Sequence, residues 1–223
     1  MAKQTTQEET RQQNVAEALS KAEQFFERYK SVIYYCFAGL LLIAAIILCV
    51  NRFYLSPKKA EAANQMYHAE QWFIQENYEL ALNGDDNYPG FEEIIASYGS
   101  KAGEAVYFYA GVCALRQNNP EQAIEWLKKY DGKDAILASK ALSCEGDAYV
   151  ALEDYNAALA CFEKAAETAD SAISAEYLVK AGEVAEELGE TEKALAFYKK
   201  VKDQYPQAPQ AMDIDKYISR LEK

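Results

Sequence analysis

From Val32 to Val50 the chain reads VIYYCFAGLLLIAAIILCV, 19 residues without a charge. At about 1.5 Å rise per residue, such a run spans close to the ~30 Å hydrocarbon core of a bilayer. In lipid every backbone N–H and C=O must be satisfied within the segment, so this stretch is restricted to an α-helix. Tyr34 and Tyr35 stand near one end and Phe53 and Tyr54 follow the other, with Arg28, Lys30 and Arg52 just outside, as interfacial anchors do. A polar stretch of 31 residues precedes the run, no small-x-small site follows it, and bulky Ile46, Ile47 and Leu48 precede Cys49. The segment is therefore expected to stay as an uncleaved signal anchor.

Five Lys or Arg precede the span (Lys3, Arg11, Lys21, Arg28, Lys30) and three follow within ten residues (Arg52, Lys58, Lys59), which favours a cytoplasmic N-terminus. Residues 1–31 form that tail, and Val15, Ala18, Leu19, Ala22, Phe25, Phe26 and Tyr29 give it one apolar helical stripe. The tail is neutral, so the whole net charge of -12 lies beyond Asn51. A surface that acidic repels phosphate backbones, which excludes nucleic acid as a partner.

Beyond Pro57 the sequence is poor in turn formers, with 10 Gly and 5 Pro in the whole chain, and its last part is periodic. Gly111, Gly146 and Gly182 are spaced by 35 and 36 residues. Behind each glycine the same framework returns. Ala114, Tyr149 and Ala185 stand three residues on; Ala123, Ala158 and Ala194 twelve on; Leu127, Phe162 and Tyr198 sixteen on; Tyr130, Ala165 and Val201 nineteen on. Small residues where helices cross let backbones approach, and the bulky residue a turn later fills the groove. Each unit is thus predicted to be a helical hairpin that must stack on its neighbours to bury its apolar face. Asn119-Pro120, Asp154 and Gly189 supply the caps and stops.

The segment GDAYVALEDYNAALACFEKAAE, Gly146 to Glu167, resembles a tetratricopeptide repeat (TPR), and the Gly111 and Gly182 units match it in part. Glu145 departs from the pattern by placing a carboxylate where a small or apolar residue is usual. A degenerate first unit is expected around Glu76-Asn77-Tyr78 and Ala81, with a short helix from Phe91 to Tyr98 after the turn GDDNYPG. Pro209 is expected to open a capping helix through Ile214, Tyr217, Ile218 and Leu221. The fold class is therefore all-α: a transmembrane helix over 32–50, a juxtamembrane helix with a degenerate repeat over 51–98, and a solenoid with its cap over 99–223.

The layout is similar to bacterial single-span proteins of the YfgM-like type. That resemblance implies an inner-membrane protein with periplasmic repeats that bind other proteins, one known role being an accessory of the Sec translocon and periplasmic chaperones. In such solenoids the first helix of each hairpin lines the concave face. The positions that point inward there are Ala105, Phe108, Val112 and Arg116; Lys140, Ser143, Asp147 and Ala151; Glu176, Val179, Glu183 and Glu187. The expected protein-binding groove comprises Phe108, Val112, Arg116, Lys140, Asp147, Glu176, Val179, Glu183 and Glu187, and runs from apolar to acidic. It suits a partner segment that is apolar and basic. Arg116 and Lys140 are its only basic members and it holds no Asn, so the two-carboxylate clamp of some family members is not expected.

Chemistry has little footing in this sequence. The single histidine, His68, cannot make a zinc site or a nucleophile-base pair alone, and the five cysteines lack metal-ligand spacing or a disulfide framework. No phosphate loop or nucleophile elbow occurs. The expectation is a binding protein that is not an enzyme, with no cofactor and no metal. Two rival readings are a cytosol-facing import or assembly adaptor of the same fold, and an accessory subunit whose paired acids, such as Glu186-Glu187, conceal an activity.

Overall fold

The computed structural model describes residues 27–222; the tail's apolar stripe up to Phe26 lies outside the described residues. Residues 27–50 form one helix (α1), exposed along its whole length, and it is long and apolar enough to cross a membrane. A π-helical turn, Asn51–Leu55, follows the apolar run and carries Arg52, Phe53 and Tyr54.

From Pro57 onward the described chain is a separate compact unit. Its helices are α2 (Ser56–Ile74), α3 (Tyr78–Asn83), α4 (Phe91–Tyr98), α5 (Ala105–Arg116), α6 (Pro120–Leu127), α7 (Ala135–Ala151), α8 (Tyr155–Ala169), α9 (Ser174–Glu187), α10 (Thr191–Gln204) and α11 (Ile214–Leu221). No strand occurs among the described residues. Packing is sequential: α5 lies on α6, α6 on α7, α7 on α8, α8 on α9, and α9 on α10. That is the arrangement of a TPR-type solenoid, in which each hairpin covers the apolar face of the next.

The hairpin turns repeat one geometry. Glu76, Asn118, Glu153 and Gly189 all adopt positive φ, between +59° and +74°. The amide after each of them donates back five residues, Asn77 to Trp72, Asn119 to Ala114, Asp154 to Tyr149 and Glu190 to Ala185, at 2.8 to 2.9 Å. This closes the last carbonyls of the first helix. The next helix then opens on a side-chain cap in three cases: Asn77 accepts from the Leu80 amide, Asn119 from Gln122 and Asp154 from Ala157. The α2–α3 turn is thus the first of the series, and the degenerate unit has the backbone of the others.

The small-residue framework explains the packing. A Cβ on Gly111 would lie 2.5 Å from Leu127, one on Gly146 2.7 Å from the Phe162 ring, and one on Gly182 2.3 Å from the Tyr198 ring. Ala123, Ala158 and Ala194 are fully buried. In the first hairpin, Ala69 and Ala81 occupy the corresponding places, and both are fully buried. Two apolar clusters result. One runs from Met66 through Phe91 to Ala148, and the other from Ala158 through Tyr198 to Ile218.

One element differs from expectation. Pro209 opens a 3-10 turn, Pro209–Met212, and the capping helix proper starts at Ile214. Only from there can Ile214 and Ile218 face the last hairpin, where both are buried.

Candidate protein-binding face

The first helices of successive hairpins are joined edge to edge by polar contacts about one repeat apart. Lys180 on α9 donates to both carboxylate oxygens of Asp147 on α7, at 2.9 and 2.8 Å, and to Ser143 Oγ at 3.3 Å. Glu176 lies 4.0 Å from the same ammonium, which also sits 5.5 Å above the Phe162 ring. On the next step Tyr217 Oη donates to Glu183 at 3.5 Å, and Arg220 binds both oxygens of Glu186 at 2.6 and 2.8 Å. Such half-exposed pairs contribute only about 0–1 kcal/mol each. They do fix the register between repeats.

The expected groove residues are accordingly divided. Asp147 and Glu176 come together around Lys180, from α7 and α9. Val112 and Val179 are half-buried, and Lys140, Glu183 and Glu187 are exposed. Arg116 is exposed, its guanidinium 6.0 Å from the Tyr78 ring centroid. Phe108 is buried, packed on Tyr109 and Tyr130 with ring centroids 5.8 and 6.4 Å away. It is packed among rings from α5 and from the segment after α6 instead of presenting an open anchor.

Lys180 is the residue that the sequence reading passed over. Its signal was a cation four residues after Glu176 and 33 after Asp147, three short of the spacing between those two units, which turns it back toward the preceding helix. The acidic strip is therefore partly neutralised at Asp147, and its more exposed end lies at Glu183 and Glu187. Desolvation pushes the Glu183 carboxyl above the usual carboxylate range, against the hydrogen bond from Tyr217.

Glu186, half of a paired-acid motif, is committed to structure: it accepts from Tyr198 Oη at 2.6 Å as well as from Arg220. The cysteines are free thiols. Burial pushes Cys113 and Cys161 up to about 12 and Cys144 up to about 11, so none of these three offers a thiolate at neutral pH. Among the described residues, no three His, Cys, Asp or Glu side chains are grouped to hold a metal.

Residues 91–135 and 145–209 match the family model for the tetratricopeptide repeat. No curated protein matches the sequence. Among solved structures, a crystal structure of MamA protein is similar with a TM-score of 0.53 at 15% identity, over 75% of this chain and 89% of that one. At that identity the likeness is one of fold. The family match and the repeated hairpin geometry agree, and this chain carries tetratricopeptide repeats stacked as an α-solenoid.

Proposed function

We propose that this chain is a membrane-tethered scaffold that binds other proteins along the face formed by α5, α7 and α9. The observation that carries this reading is the continuity of that face. Val112 and Arg116 lie on α5, which packs against α7, and Lys140, Asp147, Glu176, Val179, Glu183 and Glu187 lie on α7 and α9, which the Lys180–Asp147 pair holds in register. Helix 27–50, exposed along its length and uncharged from Val32 to Val50, is assigned to the bilayer. The charge bias around it supports a cytoplasmic N-terminus with the repeats in the periplasm of a bacterium, the layout of the YfgM-like type, with translocation or chaperone assistance as the corresponding role.

Topology is tested directly. Protease added outside spheroplasts is expected to digest residues after Asn51 and spare the N-terminal tail, read by antibodies to each end. Digestion of the tail with protection of the repeats would reverse the orientation and favour the cytosol-facing adaptor.

The binding face has its own test, with a synthetic peptide of alternating Leu and Lys as probe on the full chain in detergent. The double change Glu183→Lys with Glu187→Lys is expected to slow association about tenfold at low salt, since exposed charges steer encounter. Val179→Ala is expected to speed dissociation, because the apolar contact holds the complex. Surface plasmon resonance separates the two rates, and rates indifferent to all three changes would remove this face from the reading.

A further inference from the structure

The second helices of the hairpins are unequal. α8 and α10 run for 15 and 14 residues, whereas α6 stops after 8, at Leu127. Lys128 to Asp134 then cross to α7 without completing the missing turns. Where those turns would lie, a half-open cleft of about 450 Å³ remains, lined by Leu127, Tyr130, Leu142, Glu145, Lys164 and Thr168 among others. Its volume falls within the roughly 300–1,000 Å³ of ligand pockets.

The position of this cleft on α7 is informative. Ala138, Ala141, Leu142 and Glu145 line it, and at 3.6 residues per turn they lie about half a turn from Lys140, Ser143, Asp147 and Ala151. The cleft therefore opens on the side of α7 away from the face described above.

Glu145 is its most buried charge, with a side chain 12% exposed. Among the described residues its polar partners are Lys128 Nζ, at the long distance of 3.9 Å, and the thiol of Cys161. Lys128 is held elsewhere, donating to Tyr149 Oη at 2.7 Å. A carboxylate has about four acceptor sites, and a thiol is a weak donor, so Glu145 keeps unfilled capacity in a desolvated place. Desolvation accordingly pushes its carboxyl above the usual carboxylate range, although Lys128 and Lys164 oppose this. An incoming donor gains most where a buried acceptor is least satisfied.

We propose that the cleft beside the shortened α6 is a second protein-docking site, which takes an arginine side chain set between apolar residues of a partner segment. The guanidinium pairs with Glu145 through its planar fork, a geometry that an ammonium cannot reproduce. The aliphatic stem lies along Leu127 and Leu142, and the Tyr130 ring is available to the cation. Lys164, exposed at the rim, turns to solvent as the cation enters. The net charge of -12 adds a long-range attraction for a basic segment. This site does not depend on the α5, α7 and α9 face, and either can fail without the other.

The test uses the full chain in detergent micelles and isothermal titration calorimetry with acetyl-Ala-Leu-Arg-Leu-Ala-amide. Its control is the same peptide with citrulline, a neutral isostere, in place of arginine. The natural chain is expected to bind the arginine peptide at least tenfold more tightly. Glu145→Gln is expected to abolish that preference while leaving citrulline-peptide affinity and helical circular dichroism unchanged. Ala138→Phe, which fills the cleft without touching the Glu145 charge, is expected to weaken both peptides at least tenfold. The proposal is overturned if the natural chain does not bind the arginine peptide, or if the arginine preference survives Glu145→Gln. Loss of that preference in Asp147→Asn in place of Glu145→Gln overturns it as well, by moving the peptide to the other face. Should Glu145→Gln not fold, undiminished affinity in Ala138→Phe is the overturning result.

Discussion

Replacing Ala158 by arginine is expected to destabilise the repeat unit by about 3 kcal/mol or more. Ala158 is fully buried on α8, the helix that packs most closely with α7. No space exists there for a long side chain, so the change both overpacks the contact and buries a charge. For a unit of this size that corresponds to a fall of roughly 6–12 °C in Tm. Because each hairpin is covered by its neighbours, the loss should spread beyond α7 and α8. Thermal unfolding of the full chain in detergent, followed by circular dichroism, checks this; an unchanged Tm would mean that the hairpin register is wrong.

Tyr198→Ala is expected to cost about 3–5 kcal/mol, the range for emptying a large aromatic from a core. Tyr198 is fully buried, rests on Gly182, lies 5.0 Å from the Tyr217 ring and donates its hydroxyl to Glu186. That hydroxyl anchor prevents the ring from moving aside. Gly182→Ala is consequently expected to cost about 2 kcal/mol in the natural chain, despite the higher helix propensity of alanine. In a Tyr198→Ala background the clash is gone, and the same change should become neutral or stabilise by up to about 1 kcal/mol. Chemical denaturation of the four proteins gives the coupling. Additive effects would contradict the contact between this glycine and this ring.

Much of the fold was legible because its signals are local or periodic. The spacing of Gly111, Gly146 and Gly182, with a bulky residue sixteen positions later, foretold which residues touch, and those pairs are the ones a Cβ would break. Asn119, Asp154 and Gly189 foretold the turns, since a cap or a positive φ is a property of one or two residues. The first hairpin was harder to place. Ala69 stands where the other units have glycine, and a single alanine among many in α2 gives no periodic signal until the Glu76 turn is seen to match the others.

The candidate binding face was legible as a set of positions and not as a set of charges. The resemblance to tetratricopeptide repeats placed Asp147 and Glu176 on first helices, but which cation neutralised them depended on how α9 turns against α7, and that brought Lys180 between them. The burial of Phe108 likewise follows from rings contributed by Tyr109 and Tyr130, whose directions are set by packing.

By itself, then, the sequence determined the all-helical class, the long apolar helix, the hairpin turns and the repeat contacts, because hydrophobic period, caps and small residues act over a few residues or at a fixed spacing. Tertiary structure alone decided where α6 stops, which opens the cleft at Glu145, and where the cap starts, which places Ile214, Ile218 and Arg220 against α9 and α10. Those outcomes rest on competition among neighbouring helices for the same apolar surface and the same ion partners, and such competition has no fixed spacing along the chain.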